Sequence, residues 1–408
     1  MLWLIPVGRR RALGSSPPIV SMPPLSAPLP PRWVLVETAP WGHRMRLPGH
    51  HLARWLVARG CTVAYVSAPV SPWHFVSARA REDARRRWSQ EGALGQWRSP
   101  RLFTFIPRTW LPVAAARPFD NNACWNGSEW ASRPRAGQVL REAGFARADV
   151  MVVQNFQMPH LVRHVDARVL VVRLEDDISA FPAMPRVIVR RHREIIADAD
   201  LVTITAQGLR PHAERAGARE VMHLPNGVDA ARFERPASFE RPADLPPSPV
   251  ATYVGALDAW FDEELLADVA TRLPQWSFAL IGPPRRPFER LRALPNVHFL
   301  GPRPQEQVPP CLWSSDAGII PFRRTQLIET VSPLKLFEDL AAGLPVVSTR
   351  WSEMERLGSP AKLASTAAEF AGALEGARAP KGGVGYAREF DWDAVFGPFA
   401  ARVGELAR

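Results

Sequence analysis

Short apolar runs alternate with helix-like patterns along most of the chain. The runs are nearly continuous, which is typical of strands buried on both faces of a parallel sheet. The helical patterns between them indicate βαβ units, so the sequence predicts an α/β fold with parallel sheets. The predicted strands of the first half are 33–38, 62–67, 102–106, 150–154, 169–174 and 201–205. Those of the second half are 250–255, 277–281, 297–300, 317–321 and 345–348.

One segment, residues 329–349, is the most informative of the chain. Its pattern predicts a loop, a helix, a glycine stop and a buried strand. Ser332 is a good N-cap residue and Pro333 suits the first helical position, so we expect the helix to begin there. Gly343 ends the helix, and the apolar run after it predicts the strand.

Lys335 is the unusual residue of this segment. It falls in the first turn of the predicted helix, where the peptide dipoles already present positive charge, so an anion beside it would relieve the repulsion. Lysine is rare here, with three among 51 basic residues. Glu338 follows on the same helix face, where its carboxylate could accept hydrogen bonds from a sugar diol. The spacing therefore suggests a phosphate site, and the alternative is a surface helix whose lysine reaches back into water.

The segment resembles the C-terminal half of nucleotide-sugar-dependent glycosyltransferases with two facing Rossmann-like domains (the GT-B fold), in particular their large retaining, group 1 family. The matching residues are Ser332, Pro333, Leu334, Glu338, Gly343, Pro345 and Val346. The resemblance implies that backbone N–H groups near Ser332 and Leu334 face the donor diphosphate and that Glu338 binds the nucleotide ribose. The family has a second glutamate at the position of Thr330, which we include among the donor-binding residues.

Three further stretches carry the same resemblance. Residues 253–262, with Gly255, match the start of the family's C-terminal domain, and their Trp-Phe-Asp ending resembles a subgroup of bacterial cell-surface polysaccharide transferases. The other two are 224–233 (LPNGVDAARF) and 296–301 (NVHFLG), and together the matches cover most of residues 33–395. The family's usual cations after Gly255 are replaced here, so Lys335, Arg323 and Arg324 are candidates to bind the diphosphate. The alternative for the two arginines is a solvated loop pair.

In open parallel sheets, ligands bind at the carboxyl ends of strands. The loop after the first predicted strand contains Trp41, Gly42 and His43. The resemblance implies acceptor and diphosphate contacts there, with His43 as a catalytic candidate. His50 and His51 follow within a predicted helix and are expected to have packing or surface roles. The three histidines lack the spacing and the fourth ligand of a zinc site.

An acidic run, Glu175-Asp176-Asp177, follows the strand 169–174. Adjacent acids repel each other unless they act or are paired. The resemblance implies that this region approaches the transferred sugar, so Asp177 is a catalytic candidate and Asp176 an acceptor contact. The alternative is that Asp177 caps the following helix. Asn155, after the strand 150–154, is a further acceptor candidate.

The length of 408 residues suits two domains of ordinary size. The predicted organisation is a disordered Pro-rich tail (1–31), an N-terminal Rossmann-like acceptor domain (32–234), a linker (235–249), a C-terminal Rossmann-like nucleotide-sugar domain (250–389) and a helix that returns to the first domain (390–408). Translation could start at Met1 or Met22.

The charge and the cysteine content of the chain predict its cellular location. Three isolated cysteines without metal-ligand spacing indicate a reducing cytoplasm. No apolar run approaches the ~20 residues that span a bilayer. The net charge of +11 could steer the protein to anionic substrates or to the inner face of the plasma membrane. Nucleic acid is disfavoured as a partner, because no helix-turn-helix, zinc or aromatic-stacking signature is present.

These observations predict a glycosyltransferase that moves a sugar from a nucleoside-diphosphate sugar to a glycan or lipid-linked acceptor. The resemblance implies retention of anomeric configuration. No metal or other cofactor is expected, because a helix N-terminus with Lys335 and an arginine can stabilise the leaving diphosphate. The alternatives are a non-catalytic nucleotide-sugar binding protein and a nucleotide-sugar epimerase on the same fold.

Overall fold

The structure is a computed structural model that describes residues 29–43, 46–75, 78–111, 122–123, 127, 130–154, 159–180, 184–378 and 383–408. The predicted disordered tail, 1–31, lies outside the described residues up to residue 28.

The first sheet contains eight strands of the described chain, in the order β3-β4-β2-β1-β5-β6-β7-β8. Neighbouring strands are parallel, except that β3 is antiparallel to β4. Their bounds are Arg32–Glu37 (β1), Thr62–Ser67 (β2), Gln96–Ser99 (β3), Leu102–Phe105 (β4), Arg147–Val153 (β5), Asp166–Leu174 (β6), Leu201–Ile204 (β7) and Val221–His223 (β8). The helices of this half are Pro48–Ala58 (α1), Ala78–Gln90 (α2), Ala136–Glu142 (α3), Arg186–Asp198 (α4), Arg210–Arg215 (α5) and Ala230–Phe233 (α6).

The second sheet contains six described strands, all parallel, in the order β11-β10-β9-β12-β13-β14. Their bounds are Val250–Val254 (β9), Ser277–Ile281 (β10), Val297–Phe299 (β11), Ala317–Ile320 (β12), Val346–Thr349 (β13) and Lys362–Ala364 (β14). The helices are Glu263–Arg272 (α7), Glu289–Arg292 (α8), Val308–Trp313 (α9), Leu334–Ala341 (α10), Ser352–Arg356 (α11), Ala367–Glu375 (α12), Gly383–Glu389 (α13) and Trp392–Leu406 (α14).

Both faces of the first sheet are covered, as its apolar strands predict. On β1, Val34 and Val36 belong to one hydrophobic cluster with helices α3 and α4. Trp33 and Leu35 belong to another, with α1 and α14. The predicted α/β fold with parallel sheets is thus confirmed. The prediction missed β3, β8 and β14, which are three or four residues long and lack a fully buried apolar run.

The C-terminal helix α14 packs against the first sheet, where Phe396 and Phe399 join the cluster of Trp33. The chain reaches this helix beside the segment that leads out of the first sheet. The Val228 amide donates to the Phe390 carbonyl (2.9 Å), and the Trp392 amide donates to the Val228 carbonyl (3.1 Å). The two connections between the halves therefore run side by side.

No helix among the described residues is both long enough and apolar enough to cross a lipid bilayer.

Candidate functional site

Helix α10 begins at the junction between the two halves. Its N-cap is Pro333, whose backbone is extended. The predicted capping role of Ser332 is therefore wrong, and its buried Oγ has no hydrogen-bond partner among the described residues. The Ser332 carbonyl instead accepts a hydrogen bond from Asn226 Nδ2 of the first half (2.8 Å). Leu334 packs against the hydrophobic cluster of the first sheet. The helix start thus faces the other half of the molecule.

Lys335 lies in the first turn of α10 beside two aromatic rings. Its Nζ is 4.6 Å from the ring centroid of Phe322 and 5.3 Å from that of Tyr253. Burial lowers the pKa of Lys335 to about 8, although the charges of Glu338 and Asp339 oppose the shift. The ring faces stabilise the ammonium only in part. The site therefore holds a cation that a bound anion would stabilise further.

Gly255 makes room for this lysine. It follows β9 with φ +152°, and a Cβ there would lie 3.3 Å from Lys335 Cε and 3.1 Å from Tyr253 Oη. Gly282, which follows β10, has φ +153°, and its Cβ would lie 1.8 Å from the Gly255 carbonyl oxygen. The sequence prediction included Gly255 but missed Gly282. Two adjacent strands thus end in glycines: Gly255 leaves room for Lys335, and Gly282 lets the two strand ends approach each other.

Glu338 lies one turn after Lys335 and is half-buried. Burial raises the pKa of Glu338, while the positive charges of Lys335 and Arg232 lower it. Asp339, its neighbour, points instead into the core, where a Cβ on Gly318 would lie 2.4 Å from its carboxylate. Glu338 is therefore the carboxylate of α10 on the side of Lys335 and Arg232.

The loop before α10 places the other predicted donor residues apart from Lys335. Thr330 Oγ1 donates to the Leu327 carbonyl (2.9 Å), and its Cγ2 lies 3.1 Å from the position of a Cβ on Gly208 of the first half. Glu329 points away, because its Oε2 accepts from the amide and the hydroxyl of Ser352 (2.8 and 2.6 Å).

Both predicted arginines of the second half are exposed. The Arg323 amide donates to the Trp260 carbonyl (2.7 Å), and Arg324 Nε lies 3.7 Å from Glu329 Oε1. The structure brings neither guanidinium into contact with Lys335. The solvated-loop alternative therefore describes their position here.

The three acidic residues that follow β6 make different contacts. Glu175 Oε1 lies 3.4 Å from Arg173 Nε. Asp177 Oδ1 accepts hydrogen bonds from the amide and hydroxyl of Ser179 (2.9 and 2.5 Å) and lies 3.3 Å from His212 Nδ1. Asp177 thus caps the turn Ile178–Ala180, which is the alternative that the sequence left open.

Asp176 is the member of this run that accepts no hydrogen bond from the described residues. Burial, with a smaller contribution from the charge of Glu175, raises the pKa of Asp176 to about 6. It is half-buried at the carboxyl end of β6. Asp176 is therefore better placed than Asp177 to bind a ligand hydroxyl.

A buried network connects this strand end to the donor segment. Arg173 Nη2 donates to Asn226 Oδ1 (3.2 Å), and Asn226 in turn binds the Ser332 carbonyl. The prediction assigned no role to Arg173 or Asn226. Arg173 was visible as a charged residue inside an apolar strand, whereas the contact of Asn226 depends on how the two halves meet.

The loop between β1 and α1 is packed by aromatic rings. The ring of Trp41 lies 5.6 Å from His50 and 5.3 Å from Tyr65, so this side chain helps to build the loop. Gly42 is exposed, and its carbonyl accepts from Gln90 Nε2 (3.1 Å). The packing role predicted for His50 is confirmed, because it is buried and binds the Pro40 carbonyl (3.0 Å).

His43 and His51 complete this loop and helix. The His43 amide donates to the Pro40 carbonyl (2.9 Å), which closes a tight turn with a half-buried imidazole. His51 stacks on Trp392 of the C-terminal helix (4.8 Å), as its predicted packing role requires. The predicted acceptor residue Asn155 lies outside the described residues.

Glu37, at the end of β1, is a buried acid that the prediction missed. A Cβ on Gly49 would lie 2.2 Å from its carboxyl carbon, so helix α1 begins directly over it. Burial, reinforced by the charge of Glu175 and opposed by that of Arg173, raises the pKa of Glu37 to about 8. Glu37 could have been predicted from the sequence, because it is an acidic residue at the end of an apolar strand.

A cavity of about 320 Å³ lies between the halves. Asp177 and His212 line it from the first half, and Glu329 and Thr330 from the second. Lys335, Glu338 and His43 are outside its lining, so of the three predicted catalytic residues Asp177, His43 and Lys335 this cavity contains only Asp177. Within the described ranges, no three His, Cys, Asp or Glu side chains come together as a metal site.

Comparison with known proteins shows that part of the chain matches a protein family. Residues 248–377 match the family model described as "Glycosyl transferases group 1". Over 184 residues the chain is 30% identical to a protein of Bacillus subtilis (strain 168) named putative teichuronic acid biosynthesis glycosyltransferase TuaH. This match covers 43% of the chain and 46% of the relative, so the chain spans about half the length of the curated relative it matches.

Solved structures resemble nearly the whole chain. Sucrose-phosphate synthase from Thermosynechococcus elongatus superposes with a TM-score of 0.65 at 16% identity, over 92% of this chain and 98% of that one. Anabaena HepE in complex with UDP and glucose gives a TM-score of 0.62 at 15% identity, over 91% and 99% of the two chains. At such identities the likeness concerns the fold, and it confirms the predicted pair of Rossmann-like domains.

Proposed function

We propose that this member of the GT-B glycosyltransferases, with its group 1 domain at residues 248–377, transfers a sugar from a nucleoside-diphosphate donor to a glycan or lipid-linked acceptor. The observation that carries the proposal is the start of α10, where Lys335 lies in the first helical turn at the junction between the halves. Because the diphosphate is anionic, it complements both the helix dipole and the lysine.

The donor contacts follow from this arrangement. The backbone N–H groups near Ser332 and Leu334 flank the diphosphate, with Pro333 between them, and Glu338 accepts hydrogen bonds from the ribose hydroxyls. Gly255 keeps the approach to Lys335 open, since any side chain there would touch the lysine. Thr330 and Arg323 belong to the segment before α10 that borders the donor.

The chemistry follows from charge development. As the glycosidic bond breaks, the leaving nucleoside diphosphate gains negative charge. Lys335 and the helix amides stabilise this charge more in the transition state than in the ground state, which is the condition for catalysis. Contact between the two halves excludes water and so favours transfer over hydrolysis. No metal is needed for this step, and the anomeric configuration is retained.

The acceptor enters from the first half. Asp176 is positioned to bind a hydroxyl of the acceptor or of the transferred sugar. His43 presents its imidazole ring in the loop after β1, while Trp41 and Gly42 shape that loop, and Asn155 is a further acceptor candidate from the sequence. Asp177 supports this edge through Ser179 and His212, so we assign it a positioning role.

A cell-surface polysaccharide or glycolipid is the proposed product. The support is the name of the Bacillus subtilis relative, which places that protein in teichuronic acid biosynthesis. The net charge of +11 supports a cytoplasmic protein in peripheral contact with the anionic inner face of the plasma membrane.

Incubation of the full chain with a panel of nucleotide sugars tests the proposal, starting with uridine diphosphate sugars because HepE was crystallised with UDP. Release of nucleoside diphosphate, by transfer or slow hydrolysis, is the expected result, with and without a metal chelator. Conversion of the sugar with the nucleotide intact would identify an epimerase. Saturable binding without turnover would identify a non-catalytic binding protein.

A further inference from the structure

Three large aromatic side chains of the first half are exposed together. Trp73, Trp110 and Trp130 are 51%, 64% and 70% exposed. Trp73 Nε1 donates to the Trp110 carbonyl (3.0 Å), and the Trp110 amide donates to the carbonyl of Ala131, the neighbour of Trp130 (3.1 Å). These contacts bring the segments that carry the three exposed tryptophans next to one another, and we call Trp73, Trp110 and Trp130 the tryptophan patch. Large apolar side chains exposed near one another can mark an interaction site.

Arginines surround the tryptophan patch. The Arg135 guanidinium lies 5.1 Å from the ring centroid of Trp130, and Arg133 Nη1 donates to the Trp130 carbonyl (2.5 Å). Both arginines are exposed. The patch therefore combines apolar rings with positive charge.

A third exposed arginine extends this charge to the other side of the patch. Arg81 of α2 donates from Nε to the carbonyl of Phe75, which ends the 3₁₀ turn containing Trp73 (2.9 Å). Glu82 is the exposed acid described on the same helix. Three exposed arginines therefore contact these tryptophans or the turn that carries one of them.

The tryptophan patch lies at the same sheet edge as the proposed acceptor site. Trp73 follows β2 and Trp110 follows β4, and both strands are parallel to β1 and β6, which lead into Trp41 and Asp176. A surface that docks here would therefore lie next to the loops that receive the acceptor.

We infer that the tryptophan patch docks on an anionic lipid bilayer, with Trp73, Trp110 and Trp130 at the headgroup level and Arg81, Arg133 and Arg135 on lipid phosphates. Tryptophan favours the membrane–water interface because its ring is apolar and its N–H is polar. Basic residues beside it add electrostatic attraction to anionic headgroups. This inference specifies the surface for the membrane contact proposed above, and it rests on that contact.

The polar groups of the patch favour lipid over sugar. A glycan site surrounds its stacking ring with carboxylate and amide side chains that bind hydroxyls. Here the side chains placed at the rings by direct contacts are arginines, which match phosphate better.

The test measures sedimentation of the full chain with phosphatidylglycerol or phosphatidylcholine vesicles, without nucleotide sugar. Wild type should bind the anionic vesicles and not the neutral ones. Trp110→Ala/Trp130→Ala and Arg81→Glu/Arg135→Glu should each reduce the partition coefficient, the charge reversal by at least about thirtyfold, which is the loss expected from removing two arginines. The matched control is Arg147→Glu/Arg168→Glu, because these exposed arginines lie near the opposite, amino-end edge on β5 and β6.

The outcomes separate the two claims. If wild type binds no vesicles, both the membrane contact and its surface are overturned, while donor turnover remains a separate measurement. If the patch variants and the control bind equally, only the surface is wrong. If the tryptophan variants instead lose binding to a soluble polysaccharide, the patch is a glycan site. Unchanged thermal midpoints would show that the variants are folded.

Discussion

Asn226 of the first half holds the Ser332 carbonyl of the second half with a 2.8 Å hydrogen bond, immediately before the helix that carries Lys335. The same amide side chain accepts from Arg173 of β6 (3.2 Å), so one residue connects the acceptor edge to the donor segment. Water cannot easily replace these hydrogen bonds, because Asn226 and Arg173 are both buried. The geometry of the donor loop therefore depends on a residue in the other half.

Asn226→Ala should weaken donor binding and destabilise the protein by about 1–3 kcal/mol, because Arg173 Nη2 and the Ser332 carbonyl both lose this buried hydrogen-bond partner. The matched control is Asn296→Ala, since Asn296 Nδ2 binds three carbonyls within the second half. The control should lower the thermal midpoint and leave the donor dissociation constant unchanged. Equal effects of both variants on donor binding would contradict the role of Asn226.

Substitutions of Lys335 and Glu338 should change different kinetic constants. Lys335→Ala should lower kcat by about a hundredfold, because the lysine stabilises charge that develops on the leaving group. Glu338→Ala should mainly raise the donor KM, because a ribose contact contributes equally to ground and transition states. Lys362→Ala is the control, since Lys362 is exposed on the edge strand β14. If both site variants keep wild-type kinetics with the right donor, the site assignment is wrong.

Donor affinity should depend on pH through Lys335. With a pKa of about 8, this lysine is charged at pH 7 and loses its proton as the pH rises through 8. A bound diphosphate stabilises the charged form and raises the pKa in the complex. Affinity should therefore be constant well below pH 8 and fall above it, by up to about tenfold per pH unit. Calorimetric titration between pH 6.5 and 9.5, roughly one and a half units on either side of the pKa, covers this change. Lys335→Arg should abolish the fall, because arginine stays charged.

Gly282→Ala should be strongly destabilising, by more than about 3 kcal/mol, because the new Cβ would overlap the Gly255 carbonyl. Gly301→Ala is the comparison, since Gly301 also has positive φ (+72°) but has no atom within 4 Å of its Cβ position. It should show the backbone strain alone, about 1–2 kcal/mol. Thermal midpoints of the two variants measure the difference, and similar midpoints would rule out the close approach of the two strand ends.

The sequence predicts the sheets well and the contacts between them poorly. Strands such as β2 and β10 match their predicted bounds, because a strand buried on both faces requires an apolar run. Lys335 was found because a cation in a first helical turn is unusual. The bond between Asn226 and Ser332 could not be found, since it joins residues 106 positions apart and depends on the docking of two sheets. Ser332 was misassigned because a good capping residue was available, but Pro333 takes the extended backbone that precedes the helix.

The paired connections at Val228 and Phe390 set the mechanics of the molecule. Asp391 adds to them by accepting from the Ala230 amide (3.1 Å) while it caps α14. Two chain crossings fastened to each other act as a single pivot, which permits rotation of one half against the other but resists sliding. We therefore expect substrate entry and release to proceed by rotation of one half, with the largest displacement at the rim farthest from this pivot.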